Sequence, residues 1–225
     1  MWLSVIPALL GVIVSINMIE PKVHKKGVTN IYSHVKEALS LFQKNYQLRT
    51  LSILNIINFA RGEAGHQFTA AFYNTLWPVW AIGIAKMLSN IGAVIGFHFS
   101  GRIIKKYKPL PVLIIGKIYS LVSIIMATAY LTAFSPILMS SNSVFFGTGS
   151  VAMGSLLQKE YSNEQRSTMR SLNSLIGSIA FAVVSFGLGL FADKMGPAKA
   201  LLWLQVLSGV SLYLLWRLFP KKSGS

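Results

Sequence analysis

Seven apolar runs, each near the length of a membrane crossing, divide the chain and leave little sequence from which to build anything else. They are Met1–Ile19, Leu48–Tyr73, Val79–Phe99, Leu110–Ala133, Ile137–Leu157, Met169–Ala192 and Ala200–Phe219. A hydrocarbon core about 30 Å thick takes roughly 20 such residues per helix. Because lipid offers no partner for backbone N–H and C=O groups, runs of this length must close their hydrogen bonds internally. The expectation is an all-α, polytopic membrane bundle of about seven transmembrane helices. A balance of 53% hydrophobic to 12% charged residues is far too apolar for a soluble domain of 225 residues.

The first run has no Lys or Arg before its apolar stretch and no small-x-small pattern near Ser15 to Glu20, so it reads as a span and not as a signal peptide. The domain reading is therefore a first transmembrane helix over 1–19, a cytoplasmic linker over 20–47, a six-helix body over 48–219 and a short tail over 220–225. Within the linker, Ile31, Val35, Leu39, Phe42 and Tyr46 recur at helical spacing while Lys36, Gln43 and Lys44 point elsewhere, which predicts an amphipathic helix on the membrane surface.

Charge sets the orientation. With the linker in the cytoplasm, so are Lys22, Lys25, Lys26, Lys36, Lys44 and Arg49; Arg102, Lys105, Lys106 and Lys108; Lys159, Arg166 and Arg170; and Arg217, Lys221 and Lys222. Only Lys194 and Lys199 fall outside, and Arg61, Lys86 and Lys117 lie within spans. The positive-inside rule is met at every loop, which places the amino terminus outside and the carboxy terminus in the cytoplasm of a multi-pass cell-membrane protein. The net charge of +15 does not point to nucleic acid, because the cations sit in short clusters between apolar runs. There is no cysteine, which removes disulfides, thiolate metal sites and Cys nucleophiles.

Two cytoplasmic loops carry a pattern. One reads Gly96-Phe-His-Phe-Ser-Gly101-Arg102-Ile-Ile-Lys105-Lys106; the other runs from Gln158 through Glu164 and Arg166 to Ser171. Together, in order and spacing, they resemble the loops between helices 8 and 9 and between helices 10 and 11 of drug-efflux members of the major facilitator superfamily. In the first loop Gly101 stands near the place of the family's acidic residue. On this register the seven spans are helices 6 to 12, and the chain resembles the carboxy-terminal half of such a transporter. The resemblance implies inverted three-helix repeats, so that the third span corresponds to the sixth, which ends on Gly187, Gly189, Asp193, Lys194 and Gly196. It also implies secondary active transport, a proton-coupled efflux of a small organic solute. The partners it implies are the lipid bilayer, protons and either an amino-terminal half or a second copy to complete the cavity.

Read from the residues themselves, Gly92 and Gly96 form a GxxxG pair, and Gly116 with Ser120 a small-xxx-small pair; with Gly187 and Gly189 they are expected to let helices approach closely. The second span is the most polar, with Asn55, Asn58, Arg61, Glu63, His66 and Gln67. Glu63, His66 and Gln67 share a face at i, i+3 and i+4, whereas Arg61 and Glu63 do not. Polar side chains at that depth face the protein interior or water, so Arg61, Glu63, His66 and Gln67, with Lys86 and Lys117 on neighbouring spans, are the candidates for substrate or proton coupling. Lys86 is the candidate partner of Glu63, the one acidic residue inside a span. Asn142, Asn173 and Gln205 are expected to bond between helices, His98 to sit at the interface, and Trp77 and Trp80 to anchor the outer headgroup level.

Other classes fit less well. A seven-helix receptor or light-driven pump shares the expected topology, but a retinal protein of that kind needs a lysine in the middle of its last helix, where this chain has Gln205, Ser208 and Ser211. No Walker-type loop, HExxH, GxSxG or pair of intramembrane aspartates is present, so neither ATP use nor an intramembrane enzyme is expected, and no cofactor.

Overall fold

The computed structural model describes residues 5–17, 31–161 and 166–218, and helix fills nearly all of them, with no strand among the described residues. The helices are α1 (Val5–Ile16), α2 (Ile31–Lys44), α3 (Tyr46–Asn74), α4 (Val79–Tyr107), α5 (Pro109–Ala129), α6 (Ser135–Glu160), α7 (Arg166–Met195), α8 (Pro197–Trp203) and α9 (Gln205–Arg217). The chain divides into two compact units, residues 1–33 and 34–225. In the first, α1 is a 12-residue apolar helix whose described side chains are exposed.

In the second unit the ends of the helices follow local chemistry. Asn45 stops α2 and caps α3, its Oδ1 accepting from the Leu48 amide at 3.0 Å. Its Nδ2 donates to Glu160 Oε2 at 3.0 Å, tying the start of α3 to the end of α6. Only Lys108 separates α4 from α5; Pro109 begins α5, and Lys108 takes φ 64, ψ 157. Gly196 breaks α7 from α8 at φ 83, a conformation that costs a glycine little. Tyr46 belongs to α3 and is exposed, as is Leu39, so the inward face of α2 is carried by Leu41 and Phe42, which pack on the core.

Four segments are long and apolar enough to cross a membrane: Val79–Tyr107, Pro109–Ala129, Arg166–Met195 and Pro197–Arg217, the last through both α8 and α9. The protein is membrane-embedded and all-helical. α3 and α6 have the length, 29 and 26 residues, but neither contains a stretch as apolar. Among the described residues, then, four of the seven expected spans meet this measure of length and apolarity.

The packing is reciprocal. α4 lies most extensively against α6, and α3 against α7, while α5 bridges α6 and α9. At the first crossing a Cβ on Gly92 would meet Ser143 Oγ, one on Gly96 would run into the Val144 carbonyl oxygen, and one on Gly147 would sit 2.6 Å from the Phe97 amide nitrogen. Backbone touches backbone there, the close approach that small residues allow where lipid supplies no hydrophobic drive. A Cβ on Gly187 would meet nothing within 4 Å, so the expected close packing there is absent, and Gly189 has only Phe68 at 3.9 Å. Ser140 Oγ donates to the Ala85 carbonyl oxygen at 3.0 Å across the α4–α6 seam, and Ser123 Oγ to Asn142 Oδ1 at 2.8 Å across α5–α6.

Three apolar clusters stack along the bundle. The largest gathers Leu48, Leu51 and Leu54 of α3 with Val112, Met153, Met169 and Leu215. The others centre on Ala64, Leu188 and Leu204, and on Phe72, Tyr73, Ala85 and Leu201. Along α3 the first cluster ends at Leu54 and the second begins at Ala64, and between them Asn55, Asn58, Arg61 and Glu63 alternate with Ile56, Ile57, Phe59 and Ala60.

Candidate functional site: a polar layer on two faces of α3

One turn of α3 separates Asn58 from Arg61, so both project from the same side of the helix. The facing lysine is Lys117, one turn beyond Leu113 on α5. Its Nζ donates to Asn58 Oδ1 at 2.6 Å, and Ser211 Oγ of α9 donates to the same oxygen at 3.2 Å. Below and beside it Ser208 Oγ donates to Gln205 Oε1 at 3.0 Å; Ser208 and Ser211 are 0% exposed. Arg61 and Lys117 thus bring two positive charges to the same side of α3. Arg61 Nε is enclosed and has no hydrogen-bond partner, and neither cation makes an ion pair among the described residues.

The opposite face of α3 is also polar, but it points out of the bundle. Glu63, His66 and Gln67 are all exposed, near the middle of a 29-residue helix. Lys86 of α4 reaches this face and contacts His66 Nδ1 at 3.4 Å. The expected partner of Lys86 was Glu63; the histidine one turn further along α3 holds the ammonium instead, and Glu63 makes no ion pair among the described residues.

The candidates thus fall into two groups. Arg61 and Lys117 come together inside; His66 and Lys86 come together outside, with Glu63 and Gln67 beside them. Asn58 and Ser211 complete the inner group; the i, i+3 relation of Asn58 to Arg61 was its sequence signal, and Ser211 had none. Of the loop residues, Gly101, Arg102 and Lys105 are exposed, Arg102 lying 5.9 Å from the Phe99 ring centre. Arg166 is the half-buried first residue of α7, and Glu164 lies outside the described residues.

Among the single polar residues, Asn142 and Asn173 bond between helices. Asn173 Nδ2 donates to the Tyr161 hydroxyl at 2.7 Å and to Ser52 Oγ at 3.3 Å. Gln205 bonds within its own helical segment, to the Leu201 carbonyl oxygen at 3.0 Å. Trp77 Nε1 donates to the Ala133 carbonyl oxygen at 2.8 Å, while Trp80 is exposed. No protein-family model, no curated protein and no solved structure matches the chain.

Proposed function

We propose that this chain forms one half of a secondary active transporter of major facilitator type, moving a small organic solute by alternating access with protons as the coupling ion. The observation that carries the reading is the outward polar face of α3. Glu63, His66 and Gln67, with Lys86 against His66, stand at mid-helix and outside the bundle. Hydrocarbon does not tolerate such a surface, so water or a second protein body must cover it; a solute cavity between two halves supplies both.

The reciprocal packing supports the architecture. If α3–α5 and α6–α9 are inverted repeats, the first helix of each lies on the second helix of the other: α3 on α7, and α6 on α4. In this reading α3 and α6 also cross the membrane, their polar surfaces shielded by the cavity and by protein. The opposing wall comes from an amino-terminal half or a second copy of the chain, and the cytoplasmic side carries the basic loops.

Glu63 is the proton carrier in this scheme, as the one acidic residue on the outward face. The test is solute-dependent proton movement in proteoliposomes holding the full chain, with its oligomeric state measured in the same preparation. Flux is expected from assemblies and not from monomers, and Glu63→Gln is expected to abolish gradient-driven accumulation while leaving solute exchange. Robust flux from a monomer, or uphill transport by Glu63→Gln with unchanged pH dependence, refutes the assignment.

A further inference from the structure

The inner group has too much positive charge for its surroundings. Lys117 is bonded to Asn58, Arg61 stands one helical turn from Asn58, both cations lie between two apolar clusters, and Asn58 is neutral. Removing even one unpaired charge from water costs several kcal/mol, and two like charges add their repulsion. No described acidic residue offsets them: Glu63 is on the other face of α3, Glu160 is bonded to Asn45 at the end of α6, and Asp193 is exposed near the end of α7. The group also has hydrogen-bond donors to spare. Arg61 Nε has no acceptor, Lys117 Nζ uses one N–H on Asn58, and the Asn58 amide nitrogen has no partner among the described residues.

We propose that Arg61, Lys117 and Asn58 form a binding site for a small inorganic anion of halide size, with chloride as its physiological occupant. The class of ligand follows from the donor set. Two hollows of the structure lie elsewhere, one lined by Phe97, Ser150, Gly154 and Gln158, the other by Met126, Tyr130, Phe134 and Leu138. Asn58, Arg61 and Lys117, each half-buried, sit on one turn of α3 and the facing part of α5, and their spare N–H groups suit one small ion. The bound anion offsets one of the two positive charges and locks α3 to α5, and through Ser211 to α9. Nothing in this depends on transport; a chain that moves no solute would bind the ion equally.

The experiment uses the full chain in uncharged detergent, its thermal unfolding followed by tryptophan fluorescence, with sodium gluconate replaced by sodium chloride or bromide at constant ionic strength. Constant ionic strength removes general screening from the comparison. The midpoint should rise saturably, by about 3–8 °C at saturation. Arg61→Gln and Lys117→Met should each lose that rise, and Lys199→Met, an exposed cation, should keep it. Asn58→Asp builds the missing negative charge into the site, so its midpoint in gluconate should exceed the wild type's and no longer respond to chloride. Equal wild-type midpoints in gluconate and chloride overturn the proposal. So does an undiminished response in Arg61→Gln or Lys117→Met, or a lower gluconate midpoint for Asn58→Asp. If the two cation variants do not fold, the wild-type titration and Asn58→Asp decide.

Discussion

Gly96→Ala should be among the most damaging single-methyl additions in the bundle, and its cost can be worked from the α4–α6 crossing. The new Cβ would overlap the Val144 carbonyl oxygen and lie 3.0 Å from the carbonyl carbon, both backbone atoms that cannot rotate away. Relief requires the two helices to part by about 1 Å, and a gap of that size forfeits roughly a quarter to a half of each contact's dispersion energy along the seam. Overpacking of this kind costs about 1–3 kcal/mol, and the rigid neighbour puts Gly96 at the upper end. Gly187→Ala provides the internal reference, because its Cβ meets nothing and the exchange gains only helix propensity, up to about 1 kcal/mol. For a chain of this size each kcal/mol moves the unfolding midpoint by about 2–4 °C. Gly96→Ala should therefore melt about 6–12 °C below wild type in detergent, with Gly187→Ala level with it or a few degrees above. Gly92→Ala should fall between, since Ser143 Oγ is a side-chain atom able to turn. If Gly96→Ala and Gly187→Ala melt together, the backbone contact at this crossing does not exist.

Lys108→Gly should raise the melting midpoint, because Lys108 holds φ 64 with ψ 157, a region all but confined to glycine and worth about 1–3 kcal/mol of strain; a lowered midpoint refutes the single-residue turn. Burial pushes the Tyr161 phenol above its ordinary value, against its hydrogen bonds to Asn173 and Ser52. A raised folded value means that the neutral phenol contributes stability in full below about pH 10 and loses it as pH climbs further, so Tyr161→Phe should flatten the alkaline fall in stability. An unchanged alkaline slope in a Tyr161→Phe titration removes this residue from the account. Single cysteines at Asn74 or Ala198 should react with an impermeant thiol reagent in intact cells, and cysteines at Ser33, Ser162 or Ser223 should not; the reverse pattern inverts the orientation.

The helical architecture was legible from the apolar runs, but the membrane boundary is not a helix boundary. The third run ends by hydropathy at Phe99, whereas α4 continues to Tyr107. Arg102, Lys105 and Lys106 are good helix formers, and nothing breaks the backbone until Pro109. The expected basic loop is thus mostly helix, with a one-residue turn. The break at Leu204 between α8 and α9 has no Gly or Pro to announce it. At the site, periodicity separated the Glu63 face from the Arg61 face, because i, i+3 spacing is a property of one helix. Which cation meets which partner is set by how three helices cross, so Lys117 with Asn58 and Lys86 with His66 were beyond the reach of local spacing.

Asn45 gives the bundle a mechanical property. One side chain caps α3 through its oxygen and holds Glu160 of α6 through its nitrogen, and it is the single residue between α2 and α3. A pull arriving along α2 therefore meets a yoke: it is shared between the first turn of α3 and the last turn of α6, which tilt together. Between them these two helices carry the outward polar face and one side of the glycine seam, so tension in the linker is delivered to both at once and not to either alone.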